Sequence, residues 1–189
     1  MGLLSVLFGR SKLRKPNREQ FFSIVTAAFS LRGRTDLRPS EKAGIVFNPV
    51  ESTFFDNLDR ELRDLLRISG HASGTRYEIK DDALGTRWVI LDDRDFEDLV
   101  TTIHLVGETI YEHGFADRIL AAVFKFEYEK RAAYWIYGYK RGTFYPLILS
   151  GDRQRDNAAE MRMGAVMEEE KLPVERSLEH WYALWGIPF

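Results

Sequence analysis

The sequence contains no cysteine, and this absence removes every function that requires a thiol. A disulfide scaffold, thiol catalysis, an iron–sulfur cluster and a cysteine-based zinc site are all excluded. A chain without cysteine fits the reducing environment of the cytosol. The other residue types that ligate metals form no set with metal-site spacing, and we therefore expect no bound metal and no cofactor.

Long apolar runs are absent as well. The longest run near the start of the sequence, residues 3–8, is interrupted by Ser5. A membrane-spanning helix needs about 20 apolar residues, and the apolar part of a signal peptide needs at least about 7. We therefore expect a cytoplasmic protein without a transmembrane segment. A basic stretch follows the short run and consists of Arg10, Lys12, Arg14 and Lys15.

A large excess of one charge is also missing, since 27 basic residues face 29 acidic residues and the net charge is -2. This balance argues against a generic nucleic-acid-binding protein, which is usually strongly basic. The distribution is uneven, because residues 1–40 carry a net charge of +6 and the remainder carries -8. A basic segment of this kind can contact an acidic lipid or protein surface, and a solvated, frayed terminus is the alternative.

The length of 189 residues fits one domain better than two. We assign residues 1–16 to a basic N-terminal arm and residues 17–189 to a single α+β domain. Residues 1–14 are expected to be dispensable for folding and to contribute to contact with a partner or with the inner face of the membrane.

Hydrophobic periodicity indicates an α+β fold, because predicted strand pairs and helices alternate without a regular βαβ rhythm. The clearest helix is amphipathic, with Ser52 or Thr53 as its N-cap and Gly70 as its stop. We expect an antiparallel sheet with a C-terminal three-stranded meander, packed by amphipathic helices. The predicted helices are 17–26, 53–67, 95–113, 153–169 and 175–185; the predicted strands are 27–34, 44–48, 76–80, 86–91, 119–128, 132–139 and 143–149.

No motif typical of an enzyme is present. The sequence has neither of the glycine-rich loops G-x-x-x-x-G-K-[ST] and G-x-G-x-x-G that bind phosphate groups. Residues 70–74 resemble a nucleophile elbow only superficially, because Ser73 is one position away from the centre, and we interpret them as a loop. The carboxylates show no spacing typical of an acid/base pair. We therefore expect no enzymatic activity and no catalytic residue.

Two histidines are candidate site residues. His104 and Glu108 are four residues apart on a predicted helix, a spacing that could hold a metal, but the H-E-x-x-H pattern is missing. We interpret them as a pair on the helix surface. His180 lies beside Trp181 and Tyr182, and this composition favours an aromatic docking face over catalysis.

The strongest candidate site is the predicted hairpin at residues 139–146, Tyr-Lys-Arg-Gly-Thr-Phe-Tyr-Pro. Two cations and three aromatic residues surround one turn, where Gly142 can adopt a positive φ. Three alternatives remain open: a buried aromatic sheet with an exposed turn, a protein-docking site, and a surface that stacks nucleic-acid bases. The RNA-recognition signature fails, because Thr143 stands where an aromatic residue is required.

This hairpin, followed by the pattern R-x-R-D-N-A-x-E at residues 153–160, resembles the core motif of the PspAB family. Residues 1–4 and 7–12 resemble the start of that family, and Trp181 with Trp185-Gly186 resembles its end. The resemblance implies association with PspA, a coiled-coil envelope-stress protein on the cytoplasmic face of the membrane. It therefore implies a non-enzymatic adaptor in the phage-shock stress response, and it carries over no catalytic residue.

We expect the turn and the start of the helix predicted from residue 153 to lie together, with Asp156 paired to Lys140 or Arg141. A flat surface there would favour partner docking. A deep pocket lined by both motifs would favour the alternatives, which are a small-ligand or nucleic-acid module and an enzyme with an unrecognised site. The candidate partner-binding or ligand-binding residues are Lys140, Arg141, Gly142, Thr143, Phe144, Tyr145, Arg153, Arg155, Asp156 and Asn157.

Overall fold

The structure is a computed structural model that describes residues 17–189, and it has the predicted α+β fold. The strands form one antiparallel sheet in which the first strand of the chain lies near the centre. The helices are α1 (Arg18–Ser30), α2 (Thr53–Ser73), α3 (Phe96–Glu112) and α4 (Asn157–Glu169). The strands are β1 (Leu37–Phe47), β2 (Arg76–Asp81), β3 (Arg87–Asp92), β4 (Ile119–Tyr128), β5 (Arg131–Gly138), β6 (Thr143–Gly151) and β7 (Gln154–Arg155), in the order β2-β3-β1-β4-β5-β6-β7.

Both faces of the sheet are covered. Successive side chains of a strand point to opposite faces, and on β4 Phe124 packs with the helices whereas Val123 packs on the other side. All four helices contribute apolar side chains to the first face. The second face is covered by residues 173–189, which we call the strap. Across these residues the only helical element is a short 3-10 turn, Leu178–His180.

The meander of β4, β5 and β6 confirms the prediction closely, because each of its hairpins is a local structure with its own turn residues. Strand β4 has the predicted bounds. The turn between β5 and β6 contains Gly142 at a φ of 70°, as expected. The preceding turn places Glu129 and Lys130 at φ values of 49° and 63°, a left-handed conformation that is uncommon for residues with a side chain.

The strand predicted at residues 27–34 is wrong. Helix α1 continues to Ser30, because Ile24, Ala27 and Leu31 keep the helical spacing and are all fully buried. The strand predicted at 44–48 is the second half of β1, which begins at Leu37. Its first half is polar and contains Pro39, which is tolerated because a bulge in the pairing with β4 follows directly.

The loop predicted at residues 70–74 and the stop at Gly70 are also wrong. Helix α2 continues to Ser73 and ends at Gly74, which has a φ of 85°. Gly70 is inside the helix, where a Cβ atom would lie 2.7 Å from the carbonyl oxygen of Thr75. At the other end the predicted N-cap is confirmed, since the Ser52 hydroxyl accepts from the backbone N–H of Phe55 at 3.2 Å.

The two last helices differ from the prediction. Helix α4 begins at Asn157, four residues later than expected, because residues 154–155 form β7 and the Asp156 carboxylate caps the helix by accepting from the N–H of Ala159 at 3.0 Å. The helix predicted at 175–185 is absent from this part of the chain, which forms the strap instead. The backbone N–H of Glu175 donates to Phe144 of β6 rather than to a helical turn, and the apolar side chains that follow pack on the sheet.

The predicted basic arm, residues 1–16, lies outside the described residues. Among residues 17–189, no helix combines the length and the apolar character needed to span a membrane.

Candidate functional site

A cavity of about 510 Å³ lies between the β5–β6 turn and the strap. The apolar part of its lining, which we call the apolar wall, comes from the sheet and from the strap and includes Leu120 and Leu184. The polar wall consists of Lys140, Arg141, Thr143, Glu175 and His180.

Backbone hydrogen bonds fix both walls of the cavity. In the turn, the N–H groups of Arg141 and Gly142 donate to the carbonyl of Gly138 at 3.1 and 2.8 Å. The strap is held to β6 at Phe144, whose N–H donates to the Pro173 carbonyl and whose carbonyl accepts from the N–H of Glu175, both at 2.8 Å. The strap therefore brings Glu175 beside the turn.

Arg141, His180 and Glu175 lie together, with one hydrogen bond between Arg141 and His180 and longer charge contacts to Glu175. A guanidinium can only donate, so Nε2 of His180 accepts from Arg141 Nη2 at 2.6 Å, and we assign the ring hydrogen to Nδ1. Glu179 Oε1 lies 3.5 Å from the same Nε2, and the shorter Arg141 distance decides the assignment. Nδ1 lies 3.6 Å from Glu175 Oε1, and Arg141 Nε lies 3.7 Å from Glu175 Oε2. Arg141 and Glu175 are the oppositely charged members of this group.

Glu175 is held in its ionised form. Burial opposes ionisation, but hydrogen bonds from the Ser177 N–H at 3.0 Å and from the Thr143 hydroxyl at 3.2 Å stabilise the carboxylate. Together with the positive charge of Arg141, they bring the pKa of Glu175 below its ordinary value. Both carboxylate oxygens therefore accept from groups of the protein itself.

Two tyrosines differ in position around the cavity. Tyr145 lines the cavity and is almost fully buried, and this burial raises the pKa of its phenol. Tyr182 lies at the rim, where 58% of its surface is exposed. Its ring centroid lies 6.2 Å from that of His180, so the predicted aromatic surroundings of this histidine are present in part. Trp181, in contrast, is buried beside Gly164.

The structure separates the two halves of the predicted site. Lys140, Arg141, Thr143 and Tyr145 line the cavity around Gly142, whereas Phe144 points into the helix-side core. The second half lies at the far end of β6, which is roughly 25 Å long at about 3.3 Å per residue.

The predicted pairing of Asp156 with Lys140 or Arg141 is therefore wrong. Asp156 Oδ2 accepts from Arg131 Nη1 at 3.0 Å, at the start of β5, while the turn lies at the other end of that strand. Arg153 has a φ of 51° in the tight connection before β7, and Asn157 is the first residue of α4. Neither residue lines the cavity.

Arg155 contacts the strap from the other side. Its Nη1 donates to the carbonyl of Trp181, and its Nη2 lies 2.8 Å from Glu160 Oε2. The arginine predicted for a partner site thus connects α4, β7 and the strap.

The interpretation of His104 as a surface residue is wrong. Only 7% of His104 is exposed, and its ring packs between Phe21 and Phe22 at centroid distances of 5.5 and 5.2 Å. Its Nε2 lies 3.7 Å from Glu108 Oε2. Within residues 17–189, no group of three or more histidine and acidic side chains could hold a metal ion.

Comparisons with known proteins identify one family. The family model described as PspA associated protein B matches residues 1–189, which is the whole chain. No curated protein and no solved structure matches the sequence.

Proposed function

The chain belongs to the PspAB family over its whole length, and on this basis we propose that it is a non-enzymatic adaptor of a PspA-type envelope stress response. The family description indicates association with PspA, and this association carries the proposal. The partner we propose is therefore a PspA-type protein, and the proposed place of action is the cytoplasmic side of the membrane.

We place the contact with the partner on a docking surface formed by Lys140, Arg141, Leu178 and Tyr182. The two strap residues are apolar or aromatic and are 54% and 58% exposed, although they belong to a segment that otherwise packs inward. Tyrosine and arginine are enriched at the centres of protein interfaces. Lys140 has no ion pair within residues 17–189, so the surface presents positive charge beside apolar area and fits an acidic partner segment with apolar side chains.

The nucleic-acid alternative finds less support. Base stacking requires accessible aromatic faces, but Tyr139, Phe144 and Tyr145 are each at most 8% exposed. The turn therefore offers cations without the aromatic platform that single-stranded nucleic acids need.

A capture experiment with the purified chain and a purified PspA-type protein from the same organism tests the proposal. The double variant Lys140→Glu with Tyr182→Ser is expected to weaken capture by about tenfold or more, because it reverses one charge and removes one aromatic anchor.

The matched control for this experiment is Lys80→Glu with Tyr77→Ser. Both control residues are exposed and lie on β2, at the opposite edge of the sheet, so capture should remain as in the unmodified chain. Equal capture by the docking-surface variant and the control, with equal melting temperatures, would contradict the docking surface. Absence of capture by the unmodified chain would contradict the adaptor function itself.

A peripheral contact with the membrane is a second part of the proposal and rests on the charge of the arm. Each basic residue near an anionic lipid surface contributes about 1 kcal/mol, and residues 10–15 contain four of them. Flotation with anionic liposomes at low salt is expected to retain the full chain more strongly than residues 17–189. Equal flotation of the two would remove this part of the proposal.

A further inference from the structure

The size of the cavity beside the turn is that of a small-molecule site. Its volume of about 510 Å³ lies within the range of roughly 300–1,000 Å³ that ligand pockets occupy. One part of it is apolar, with Leu120, Leu184 and the rings of Tyr145 and Tyr182. A ligand in this part would exchange water for hydrocarbon contacts.

The polar wall has hydrogen-bond donors that are available to a ligand. Arg141 donates to His180 with one of its five N–H groups, and the remaining donors keep a planar fork that matches an anionic oxygen pair. Lys140 adds a second cation. Glu175 is the one carboxylate in the lining, and its two oxygens already accept from Ser177 and Thr143. It therefore competes weakly for the free donors of Arg141.

The charge of the lining selects the kind of anion. Lys140 and Arg141 face the ionised Glu175 within the lining, and a second carboxylate, Glu179, lies beside it with Oε1 3.5 Å from His180 Nε2. Because the two cations are already balanced by two carboxylates, the site suits a monoanion better than a doubly charged phosphate. The apolar wall then requires that this monoanion carry a hydrocarbon body.

From this geometry we infer that the cavity binds a small apolar molecule bearing one carboxylate, with the carboxylate on Arg141 and the hydrocarbon between Leu120, Leu184 and Tyr145. This site goes beyond the proposed adaptor function and does not depend on it. Tyr182 lines the cavity and also belongs to the docking surface, so the ligand would lie next to that surface.

Isothermal calorimetry on the purified chain tests the inference with decanoate as the probe, below its micelle concentration. Decanoate is expected to bind with one molecule per chain. Decanol, which has the same hydrocarbon without the charge, should bind about tenfold more weakly or not at all, because the charge-assisted hydrogen bonds are lost. Decyltrimethylammonium, which has the opposite charge, should not bind.

Two variants locate the binding. Arg141→Gln removes the planar pair of N–H donors and should weaken the binding of decanoate by about tenfold or more. Leu184→Glu places a negative charge, of the same sign as that of decanoate, in the apolar wall and should weaken binding by the same amount. Leu184 lies in the irregular part of the strap, so the second variant remains informative if the first one perturbs the turn. Arg67→Gln, an exposed arginine on α2, is the matched control and should bind decanoate as the unmodified chain does.

The inference is overturned if decanoate shows no saturable binding, if the three probes bind equally, or if both cavity variants retain the affinity of the control. Because calorimetry uses the chain alone, none of these results depends on whether a PspA-type protein is captured.

Discussion

Glu160 is a carboxylate inside the protein, with only 2% of its surface exposed. It accepts hydrogen bonds from the N–H of Ile148 at 3.0 Å and from Arg155 Nε at 3.0 Å. A buried charge is tolerated only with such partners. Arg155 therefore has a structural role, and its predicted part in partner binding stays a prediction.

We expect Glu160→Ala to lower the free energy of unfolding by about 3–5 kcal/mol, because it removes the carboxylate that pairs with the Arg155 guanidinium and leaves the Ile148 N–H without its acceptor. Urea unfolding measures this change. Glu168→Ala on the same helix is exposed and should stay within about 0.5 kcal/mol of the unmodified chain. If the two variants are equally stable, Glu160 does not hold α4 to the sheet.

Tyr137 presents the opposite case, because its hydroxyl is buried and has no hydrogen-bond partner among the described residues. Leaving a buried polar group unpaired costs about 1–3 kcal/mol. Tyr137→Phe is therefore expected to raise the free energy of unfolding by about 1 kcal/mol, measured by the same urea titration. A loss of stability would show that the hydroxyl is satisfied, for instance by an internal water.

At the scale of elements, two glycines receive the rings of the strap. A Cβ atom on Gly164 in α4 would lie 2.9 Å from the Trp181 ring, and one on Gly44 in β1 would lie 2.8 Å from the Phe189 ring. Neither position has a positive φ, so the requirement for glycine comes from the close approach of the strap. The strap is thus held at two points, where the Trp181 ring packs on the backbone of Gly164 and the Phe189 ring packs on the backbone of Gly44.

Gly164→Ala is expected to loosen the strap, although alanine is the better helix former by about 1 kcal/mol. The displaced Trp181 ring costs about 1–3 kcal/mol, which is the larger effect. Trypsin cleavage after the exposed Arg176 should accelerate, by up to about tenfold if opening becomes easier by about 1.4 kcal/mol. Gly33→Ala is the control, since nothing lies within 4 Å of its Cβ position. Equal cleavage of both variants would mean that the ring does not anchor the strap.

The parts of the fold that could be predicted are those that the local sequence determines. Strand β4 and the Gly142 turn depend on alternation and on one residue with a positive φ. The first half of β1 could not be predicted, because polar residues and Pro39 are acceptable there only through a bulge against β4, which is distant in the sequence. The strap could not be predicted for the same reason, because its apolar spacing resembles a helix and its irregular form depends on packing against the sheet.

The candidate site also has one part that the local sequence determines and another part that depends on distant contacts. Arg141 and Tyr145 were predicted correctly as neighbours at one turn, since the hairpin brings them together locally. Glu175 and His180 complete the polar wall from positions 32 and 39 residues away along the chain, as the Thr143–Glu175 and Arg141–His180 hydrogen bonds show. Hydrophobic periodicity cannot predict contacts between residues so far apart in the sequence. The incorrect prediction of a helix at 175–185 also placed Glu175 and His180 away from the turn.

At the scale of the whole molecule, the core contains several buried phenols. Burial raises the pKa of Tyr137 from 10.0 to about 12, and it raises the pKa of Tyr134, Tyr139 and Tyr145 as well. In the unfolded chain these groups ionise near pH 10. The unfolded state therefore loses protons at a lower pH than the folded state does.

The free energy of unfolding is consequently expected to be insensitive to these tyrosines below pH about 9 and to fall as the pH rises above about 10. Each fully buried tyrosine contributes a slope of about 1.4 kcal/mol per pH unit between its unfolded and folded pKa values. Urea unfolding at a series of pH values measures the slope, and Tyr137→Phe should reduce it. Constant stability between pH about 9 and about 11 would contradict this picture of the core.

The central position of β1 has a consequence for the time course of folding. The hairpin of β2 with β3 and the meander of β4 to β6 close short loops and can form within microseconds. β1 must then enter between them, and the contact of Arg38 with Glu127 spans 89 residues. Entropy of loop closure makes this insertion the slow event, on the order of milliseconds to seconds. Until it occurs, β3 and β4 each present an unpaired edge that a second chain can occupy, so refolding yield should decrease as protein concentration increases.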